Sequence, residues 1–238
     1  MPTPLFACSG IALRLGGRSI LEDISLSVMP GEVLGIIGPN GAGKTSLLEV
    51  LSGRLPPRAG SVSFGGRDIS AEPMHRRARA GIARTYQSPV VPDALTVGET
   101  LRAARHAYRP YLTRHHAEWA CGIAGFRPDE SLPTGALETL NRRKLLLACL
   151  LMRRPSVLLM DEPAAGLINA EVDEIDAIVR LLAKELRMAV VIVEHRLELL
   201  DAIADRVVVL DLGRIIAEGP PEHVFERPEV RAAYFDHA

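Results

Sequence analysis

Hydrophobic positions follow two periodicities along this chain, and their order predicts a layered α/β protein. Short runs typical of strands cover residues 8–14, 20–29 and 32–37. A glycine-rich loop comes next, and then an apolar-periodic helix that ends near Ser52. The pattern continues with a strand at 61–64, a helix over Met74–Ala80 and a strand at 81–86.

Between about residue 88 and residue 152 the strand signals disappear and helical patterns replace them. Thr96 and Glu99 have the spacing of a capping box, in which a hydroxyl and a carboxylate each accept from an unpaired N–H group, so a helix should begin there. Two more helices are predicted at 114–125 and 141–152. The linker between them, 126–136, contains two prolines and a glycine.

Strands and helices alternate again after this helical stretch. Strands are predicted at 157–160, Ala189–Val193, 207–210 and 214–218, and helices at 170–186 and 196–204. Such alternation is typical of α/β layers around a largely parallel sheet. We therefore predict one domain over residues 1–238, with a core formed by 1–87 and 153–238 and a helical subdomain at 88–152.

Composition excludes several classes of protein. The 238 residues are 47% hydrophobic and 24% charged, which is typical of globular proteins and excludes disorder. Purely apolar runs are far shorter than the roughly 20 residues that cross a bilayer, and no basic residue precedes an apolar run at the start, so no secretory signal is expected. Cys8, Cys121 and Cys149 are too scattered for a disulfide framework or a zinc site, which favours a reducing cytoplasm.

Charge is spread unevenly, although the formal net charge is only −1. Residues 1–70 sum to +1, residues 71–154 to +7 and residues 155–238 to −9. The basic middle segment is either a contact surface for a membrane, nucleic acid or partner protein, or a set of solvated, arginine-rich helix faces. The near-neutral total excludes a protein that coats DNA.

The strongest motif follows the predicted strand at 32–37. It is the G-x-x-x-x-G-K-[ST] phosphate loop, formed by Gly38, Pro39, Asn40, Gly41, Ala42, Gly43, Lys44 and Thr45. Glycines let backbone N–H groups converge on phosphate oxygens, and the start of the next helix adds its positive end. We predict that Lys44 reaches the β- and γ-phosphates of ATP and that Thr45 binds Mg²⁺, with Ser46 as a further nucleotide contact.

A second motif closes the hydrophobic strand at 157–160 with two carboxylates. Asp161 is predicted to hold Mg²⁺ and Glu162 to polarise the attacking water. Gln87 and His195 each follow a predicted strand. Taken singly, Gln87 fits a surface amide and His195 a hydrogen-bonded histidine at a strand end, so only the combination points to a site.

In this order along the chain, the phosphate loop, Gln87, the Asp161-Glu162 pair and His195 resemble an ABC transporter ATP-binding subunit over the whole length. The resemblance implies a P-loop NTPase (ABC ATPase) core with an antiparallel β subdomain and an inserted helical subdomain. It also implies that Gln87 senses the metal and the transmembrane subunits. His195, by the same resemblance, contacts the γ-phosphate.

Three short segments narrow the resemblance to one group within the ABC family. Residues 84–87, 161–167 and 228–234 resemble those of importers for branched-chain amino acids, urea and similar solutes. The implied partners are transmembrane permease subunits, a second ATP-binding subunit (the same chain or another) and, indirectly, a solute-binding protein, but no nucleic acid. The implied location is the cytoplasmic face of the inner membrane.

The basic middle segment is the predicted docking surface, because ABC subunits turn this region towards their permease. The contacts with permease loops or anionic headgroups are assigned to Arg76, Arg77, Arg102 and Arg105.

The chain departs from the family at the Leu-Ser-Gly-Gly-Gln signature, which one subunit presents to the nucleotide of the other. Counting back from Pro155 places it at Leu137-Glu138-Thr139-Leu140-Asn141, whereas a placement at 132–136 would need a five-residue insertion. Glu138 then brings a carboxylate towards the γ-phosphate, and Thr139 and Leu140 add Cβ atoms where close approach is needed. We therefore expect weak ATP hydrolysis by the chain alone.

Smaller departures concern three other places. Leu51-Ser52-Gly53 contains the chain's only Leu-Ser-Gly, but it lies behind the phosphate-loop helix and is interpreted as the helix end. Leu15 stands where the family stacks an aromatic ring on adenine, so weak base discrimination is expected. Ile168 replaces a polar residue of the loop after Glu162, and Asn169 is the candidate substitute.

Two functions from different classes remain open. The first is an ATP-hydrolysing motor subunit of a membrane importer, which the intact Glu162 and His195 favour. The second is an ATP-binding regulatory half that hydrolyses little, which Glu138 and Leu140 favour for a homodimer. A soluble ABC protein of ribosomes or DNA is disfavoured, because the chain has neither a second cassette nor a long coiled-coil insertion.

Overall fold

Two β-sheets of different kinds carry the fold. The structure, a computed structural model, describes residues 3–127 and 129–235. The smaller sheet consists of β1 (Phe6–Leu15), β2 (Arg18–Val28), β4 (Ala59–Phe64) and β5 (Arg67–Asp68), which pair antiparallel in the order β2-β1-β4-β5. This sheet is the antiparallel subdomain that the resemblance implied.

The larger sheet has six strands and is mostly parallel. It consists of β3 (Val33–Ile37), β6 (Ile82–Arg84), β7 (Val157–Asp161), β8 (Ala189–Val193), β9 (Arg206–Asp211) and β10 (Arg214–Gly219). Their order is β10-β9-β3-β8-β7-β6, and only β10 pairs antiparallel with its neighbour. Every residue of β3, β7 and β8 is buried, as expected of parallel strands covered on both faces. The predicted α/β fold class is confirmed.

Nine helices are seen in the described part of the chain. They are α1 (Lys44–Leu51), α2 (Met74–Ala80), α3 (Val97–His106), α4 (Arg114–Ile123), α5 (Thr139–Leu151), α6 (Asn169–Arg180), α7 (Leu197–Ile203), α8 (Pro221–Val224) and α9 (Pro228–Phe235). A π-helical turn, Leu181–Glu185, continues α6. Within the described ranges, none of the helices is both long and apolar enough to cross a membrane.

Among the described residues between β6 and β7, the regular elements are all helical. The predicted capping box opens α3, since Thr96 Oγ1 accepts from Glu99 N at 3.2 Å and the Glu99 carboxylate accepts from Thr96 N at 2.8 Å. Helix α5 begins at Thr139, two residues before the predicted start at 141, so part of the predicted signature enters its first turn. In the predicted linker, Pro128 lies outside the described residues. The division of the chain at 88 and 153 stays a prediction.

The larger sheet separates two hydrophobic cores, and β3 contributes to both. Val33 and Ile37 pack with the helices on one face, whereas Leu34 and Ile36 pack with α1 and the smaller sheet on the other. This alternation follows from the twofold period of a strand. Because both faces are occupied by packing, polar chemistry is left to the ends of the strands.

Arg77 corrects one prediction about the docking surface. Its side chain is buried, only 1% exposed, and lies against the carboxyl end of α1. The guanidinium donates to four backbone carbonyls, those of Val50 (2.9 Å), Leu51 (2.8 Å), Ser70 (3.1 Å) and Glu72 (2.9 Å). Arg77 therefore closes the end of α1 and cannot reach a partner, while Arg76, Arg102 and the half-buried Arg105 do reach the surface.

Replacing Arg77 is expected to destabilise the fold. Arg77→Met removes the donors to four carbonyls, two of which end α1, and should lower the free energy of unfolding by about 3 kcal/mol, because buried unpaired polar groups cost about 1–3 kcal/mol each. Urea titration followed by circular dichroism measures the change. The matched control is Arg76→Met on the exposed side of the same helix, which should change stability by less than about 0.5 kcal/mol. Equal urea midpoints for Arg77→Met and Arg76→Met would contradict the stabilising role of Arg77.

Candidate functional site

The predicted site residues meet at one edge of the larger sheet. The phosphate loop leaves the carboxyl end of β3, Asp161 ends β7, and His195 follows β8 by two residues. These three strands are neighbours and run parallel, so their carboxyl ends lie side by side. In open α/β sheets this edge is where ligands bind.

Two glycines of the phosphate loop sit where no other residue fits. Gly38 has φ 152°, and a Cβ there would lie 2.0 Å from the carbonyl oxygen of Leu210. Gly43 has φ 103°, and a Cβ there would lie 2.8 Å from Leu21 Cδ2. Gly43 precedes α1 without a side-chain cap, so the first N–H groups of α1 are left to a ligand.

Lys44 lies inside the curve of this loop. Its Nζ donates to the carbonyl oxygens of Gly38 at 2.7 Å and Pro39 at 2.9 Å. Burial lowers the pKa of Lys44, and the charges of Glu162 and Asp161 oppose that shift. The loop thus holds a cation against its own carbonyl oxygens, at the start of α1, where a polyphosphate would find both positive charge and a helix N-terminus.

Asp161 joins the phosphate loop to Arg84 at the end of β6, the edge strand of the sheet. Its Oδ1 lies 3.5 Å from Thr45 Oγ1, and its Oδ2 lies 3.4 Å from Arg84 Nη2. Burial raises the pKa of Asp161, and the Arg84 charge acts in the opposite direction. Arg84 also donates to Glu49 at 2.9 Å and to Ser52 Oγ at 2.9 Å.

The sequence interpretation missed the role of Arg84. The available signal was a lone arginine ending an otherwise apolar strand, Ile82–Arg84, which is buried throughout. Charged groups are buried almost only when they are paired, so such an arginine indicates a carboxylate partner. Here that partner is Asp161, which Arg84 ties to α1.

Gln87, Glu162 and His195 converge although they are far apart in sequence. Gln87 Nε2 donates to Glu162 Oε2 at 2.7 Å, and His195 Nε2 lies 2.9 Å from Glu162 Oε1. Glu162 has φ 45°, a left-handed conformation that is uncommon for a residue with a side chain. Each of the two carboxylate oxygens therefore has one polar partner, and the group is directed to the space beside the phosphate loop.

Glu194 is a second residue that the sequence interpretation missed. It is 2% exposed, and its carboxylate accepts from Ala164 N at 2.7 Å and from His195 N at 3.2 Å. Burial raises the pKa of Glu194, and the backbone hydrogen bonds act against that shift. Glu194 fixes the loop after Glu162 to the strand that carries His195.

The same loop is held from its other side by α5. Arg143 donates to the carbonyl oxygen of Ala165 at 2.6 Å and also to that of Pro163. Arg143 comes two residues after the predicted signature, so this contact links the signature helix directly to the loop that follows Glu162.

The start of α5 exposes only part of the predicted signature. Glu138 is the N-cap residue, and both Glu138 and Thr139 are exposed, whereas Leu137 is buried. Leu140 is also buried, at 7% exposure, in the core under the helices. The expectation that Leu140 adds a Cβ at the contact surface is therefore wrong, because its position in the first turn directs it inward.

The alternative signature placement at 132–136 is exposed at Pro133 and Ala136 and buried at its centre. Thr134 is fully buried, and its hydroxyl donates to the carbonyl oxygen of Pro92 at 3.0 Å. Residues 134–136 form a short 3₁₀ turn that leads into α5. In the preferred placement, Glu138 and Thr139 are the exposed neighbours at the start of α5.

The smaller sequence departures are found at the surface. Leu15 ends β1 and is 42% exposed. Ile168 is 69% exposed, and the neighbouring Asn169 accepts from Arg196 Nη2 at 2.7 Å, so the amide that was the candidate substitute is engaged within the chain. Leu51 ends α1 and Gly53 follows with φ 78°, which confirms that this segment is a helix end.

Among the residues that the structure describes, no group of three or more His, Cys, Asp or Glu side chains forms a metal site. Two side-chain oxygen atoms, Thr45 Oγ1 and Asp161 Oδ1, lie 3.5 Å apart at the end of the phosphate loop. A hard cation held here would depend on phosphate oxygens for the rest of its ligands.

Comparison with known proteins gives matches over the whole chain. The family model described as ABC transporter matches residues 21–165. BraF, a high-affinity branched-chain amino acid transport ATP-binding protein of Pseudomonas aeruginosa, is 32% identical over 255 residues, covering 100% of both chains. LivG, the protein of the same description in Escherichia coli K12, is 30% identical over 256 residues, again covering 100% of both.

Solved structures also match nearly the whole of this chain. The ADP conformation of an ATP-binding cassette of an ABC transporter superimposes with a TM-score of 0.88 at 26% identity, covering 98% of this chain and 99% of that one. A nucleotide-free ATP-binding cassette from an ABC transporter gives a TM-score of 0.87 at 26% identity and the same coverage.

Two substitutions are expected to separate nucleotide binding from hydrolysis. Lys44→Ala removes the cation at the centre of the phosphate loop and should abolish ATP binding. Glu162→Gln keeps that loop intact but removes the base, so it should bind ATP with the parent's affinity and reduce turnover by about 100-fold or more. Titration with a fluorescent ATP analogue, followed by single-turnover hydrolysis, measures both effects. Parental ATP affinity in Lys44→Ala would overturn the assignment of the loop.

Proposed function

This chain belongs to the ABC transporter family of ATP-binding proteins, and from that membership we propose that it hydrolyses ATP to drive a membrane importer of branched-chain amino acids or related small solutes. The membership confirms the resemblance drawn from the sequence, and it does not favour the alternative of a regulatory half. The solute class is proposed because full-length relatives such as BraF and LivG are named for branched-chain amino acid transport.

The observation that carries the proposal is the convergence of Gln87 and His195 on the Glu162 carboxylate beside the Lys44 loop. In hydrolysis, Glu162 accepts a proton from the water that attacks the γ-phosphorus, while the bond to the ADP oxygen breaks. Gln87 and His195 hold the carboxylate in position, and Lys44 balances charge on the phosphate oxygens. For Glu162 and Lys44 these are the roles predicted from the sequence, whereas the metal-sensing role of Gln87 and the γ-phosphate contact of His195 stay predictions.

Mg²⁺ fits the donors at this site. The Thr45 hydroxyl and the Asp161 carboxylate present oxygen atoms 3.5 Å apart, and oxygen is the ligand that Mg²⁺ prefers. Gln87, the further Mg²⁺ ligand predicted from the sequence, donates its amide to Glu162, the residue after Asp161. When bound, the ion neutralises negative charge on the ATP phosphates. The buried Arg84 fixes the orientation of Asp161 for this role.

We assign the permease contact to the surface beside Gln87. A cavity of about 380 Å³ lies between the loop at 85–90 and α5, with mostly apolar walls that include Tyr86, Leu147 and Met160. Val90 borders this cavity and is 81% exposed. An apolar cavity beside Gln87 is suited to an apolar segment of a permease. Arg76, Arg102 and Arg105 lie outside the lining of this cavity and remain predicted charged contacts. The chain would then lie on the cytoplasmic face of the inner membrane.

The exposed part of the signature indicates unequal subunits. Glu138 would place its carboxylate towards the γ-phosphate of a second subunit, where the family supplies a hydroxyl. Two like charges at about 4 Å and an effective dielectric constant near 20 repel by on the order of 4 kcal/mol. A second ATP-binding subunit with an intact signature would complete the site built on Lys44 and Glu162, whereas the reverse site would turn over slowly.

Placing a charge on the proposed permease surface should uncouple transport from ATP binding. Val90→Glu buries a carboxylate against an apolar partner, so cells that depend on this variant should take up radiolabelled leucine about fivefold more slowly or worse. Leu212→Glu is the matched control, because Leu212 is 84% exposed and lies in the turn between β9 and β10. Both purified variants should keep the parent's ATP affinity. Parental leucine uptake with Val90→Glu would refute the assigned surface.

Rebuilding the exposed signature positions should raise the ATPase activity of the chain alone. The double change Glu138→Ser with Thr139→Gly removes the like charge and restores a hydroxyl, and we expect about a tenfold or larger gain in steady-state turnover. Leu140 is left in place, since removing its buried side chain would open a cavity. Glu185→Ser, at an exposed position in the turn that continues α6, controls for loss of charge. Rapid hydrolysis by the unmodified chain, with no gain on rebuilding, would contradict the predicted asymmetry.

A further inference from the structure

A cleft of about 400 Å³ lies in the helical part of the chain, between α3 and α4. Its third wall is the segment that follows α4. None of its described lining residues belongs to the nucleotide site, and none lines the apolar cavity beside Gln87. The cleft is therefore a separate feature that the proposed function leaves unused.

Buried apolar side chains form the floor of the cleft. Leu101 of α3, Ala117 and Cys121 of α4, and Phe126 are between 4% and 7% exposed. All four belong to the hydrophobic core under the helices, so their positions are set by packing. The floor is thus a preformed apolar surface, as small-molecule sites usually have.

Two carboxylates are held beside this floor. Arg114 donates to Glu118 at 3.0 Å and to Glu130 at 3.1 Å. Glu130 lies directly against the start of α3, where Gly98 N donates to the Glu130 carbonyl oxygen at 2.9 Å and a Cβ at Gly98 would lie 3.1 Å from the Glu130 Cβ. Burial raises the pKa of the Cys121 thiol to about 11, and the charges of Glu130 and Glu118 contribute to the rise. Two carboxylates share one arginine here, which leaves negative charge beside the floor.

Three further arginines line the cleft. Arg102 and Arg105 lie one turn apart on α3, and Arg127 follows the floor residue Phe126. None of the three forms an ion pair with a residue that the structure describes. Arg105 is half-buried, whereas Arg102 and Arg127 are exposed. These guanidinium groups can therefore bind a carboxylate that comes from outside the chain.

The cleft thus presents both signs of charge above an apolar floor. A free α-amino acid carries a carboxylate, an ammonium and a side chain on one carbon, so an amino acid with an apolar side chain matches all three features. An inorganic anion would use the arginines alone, and a neutral apolar ligand would use the floor alone. The volume of the cleft falls within the range of roughly 300–1,000 Å³ that is typical of small-molecule sites.

We propose that this cleft binds a free α-amino acid with an apolar side chain. The carboxylate of the amino acid pairs with Arg102 and Arg105, and its side chain covers the floor. Its ammonium pairs with Glu118 and Glu130. The binding does not depend on which solute is transported. Only its consequence, that an imported amino acid acts on a site of the ATP-binding subunit, rests on the proposed function.

The test is titration of the purified full chain with L-leucine, followed by two-dimensional NMR of its amide groups. Leucine should shift amide signals of α3 and α4, and the shifts give the dissociation constant. Arg102→Glu with Arg105→Glu should weaken leucine binding by about tenfold or more, because like charge replaces the charge that holds the carboxylate. The matched control, Arg58→Glu with Arg231→Glu, makes the same charge change at exposed positions outside the cleft and should stay within about twofold of the parent.

Leucine analogues test each feature of the cleft separately. The keto acid of leucine lacks the ammonium, isoamylamine lacks the carboxylate and glycine lacks the side chain, and each should bind about tenfold more weakly than leucine. Glu118→Gln with Glu130→Gln should weaken leucine binding without weakening that of the keto acid, since only the ammonium contact is lost. Binding of the keto acid as tight as that of leucine would indicate an anion site and overturn the proposal.

A further arm addresses the permease loops or anionic headgroups that the sequence predicts as contacts of Arg102 and Arg105. Its probe is phosphatidylglycerol vesicles. Vesicle binding that is lost in Arg102→Glu with Arg105→Glu, without leucine binding by the parent, would overturn the proposal.

Two controls keep the result interpretable. The milder Arg102→Gln with Arg105→Gln guards against misfolding and should also weaken leucine binding, and unchanged ATP affinity confirms that each variant is folded. Equal losses of leucine binding in the cleft variant and the control variant would refute the site. Because leucine binding is measured without ATP hydrolysis or transport, its failure is distinguishable from a failure of the proposed function.

Discussion

Burial of the parallel sheet on both faces is the constraint from which the rest of this structure follows. Every residue of β3, β7 and β8 is needed for packing, with helices on one side and the antiparallel sheet on the other. Polar side chains are therefore confined to the ends of these strands. The carboxyl ends hold Asp161, Glu162 and His195 beside the phosphate loop.

Buried charged side chains fix the loops and helices that border this sheet. Arg84 pairs with Asp161 and Glu49, and Glu194 accepts from the backbone of the loop after Glu162. Arg143 holds the same loop from α5. Each of these charges loses hydration on burial, and each recovers part of that cost through fixed hydrogen bonds. Together they fix the loop that follows Glu162 relative to both β8 and α5.

The excess of arginine in the middle of the chain has two physical explanations. Arg77, Arg84 and Arg143 are internal, where they bind backbone carbonyls or carboxylates. Another set reaches the surface, and Arg102 and Arg105 line the cleft between α3 and α4. Net charge alone cannot separate these sets, because a guanidinium contributes the same unit whether it closes a helix or faces a partner.

The sequence by itself determined the fold class, the phosphate loop and the acidic strand end, since these depend on local spacing: a glycine pattern between strand and helix, or two carboxylates after an apolar run. It also determined the capping box of α3. Only the tertiary structure decided that Arg77 and Leu140 are buried, that Arg84 and Glu194 support the site, and which arginines share a cleft. The physical reason is that burial and pairing depend on which distant segment covers a residue. A helix of thirteen residues such as α5 shows its period in sequence but not the neighbour each side chain meets.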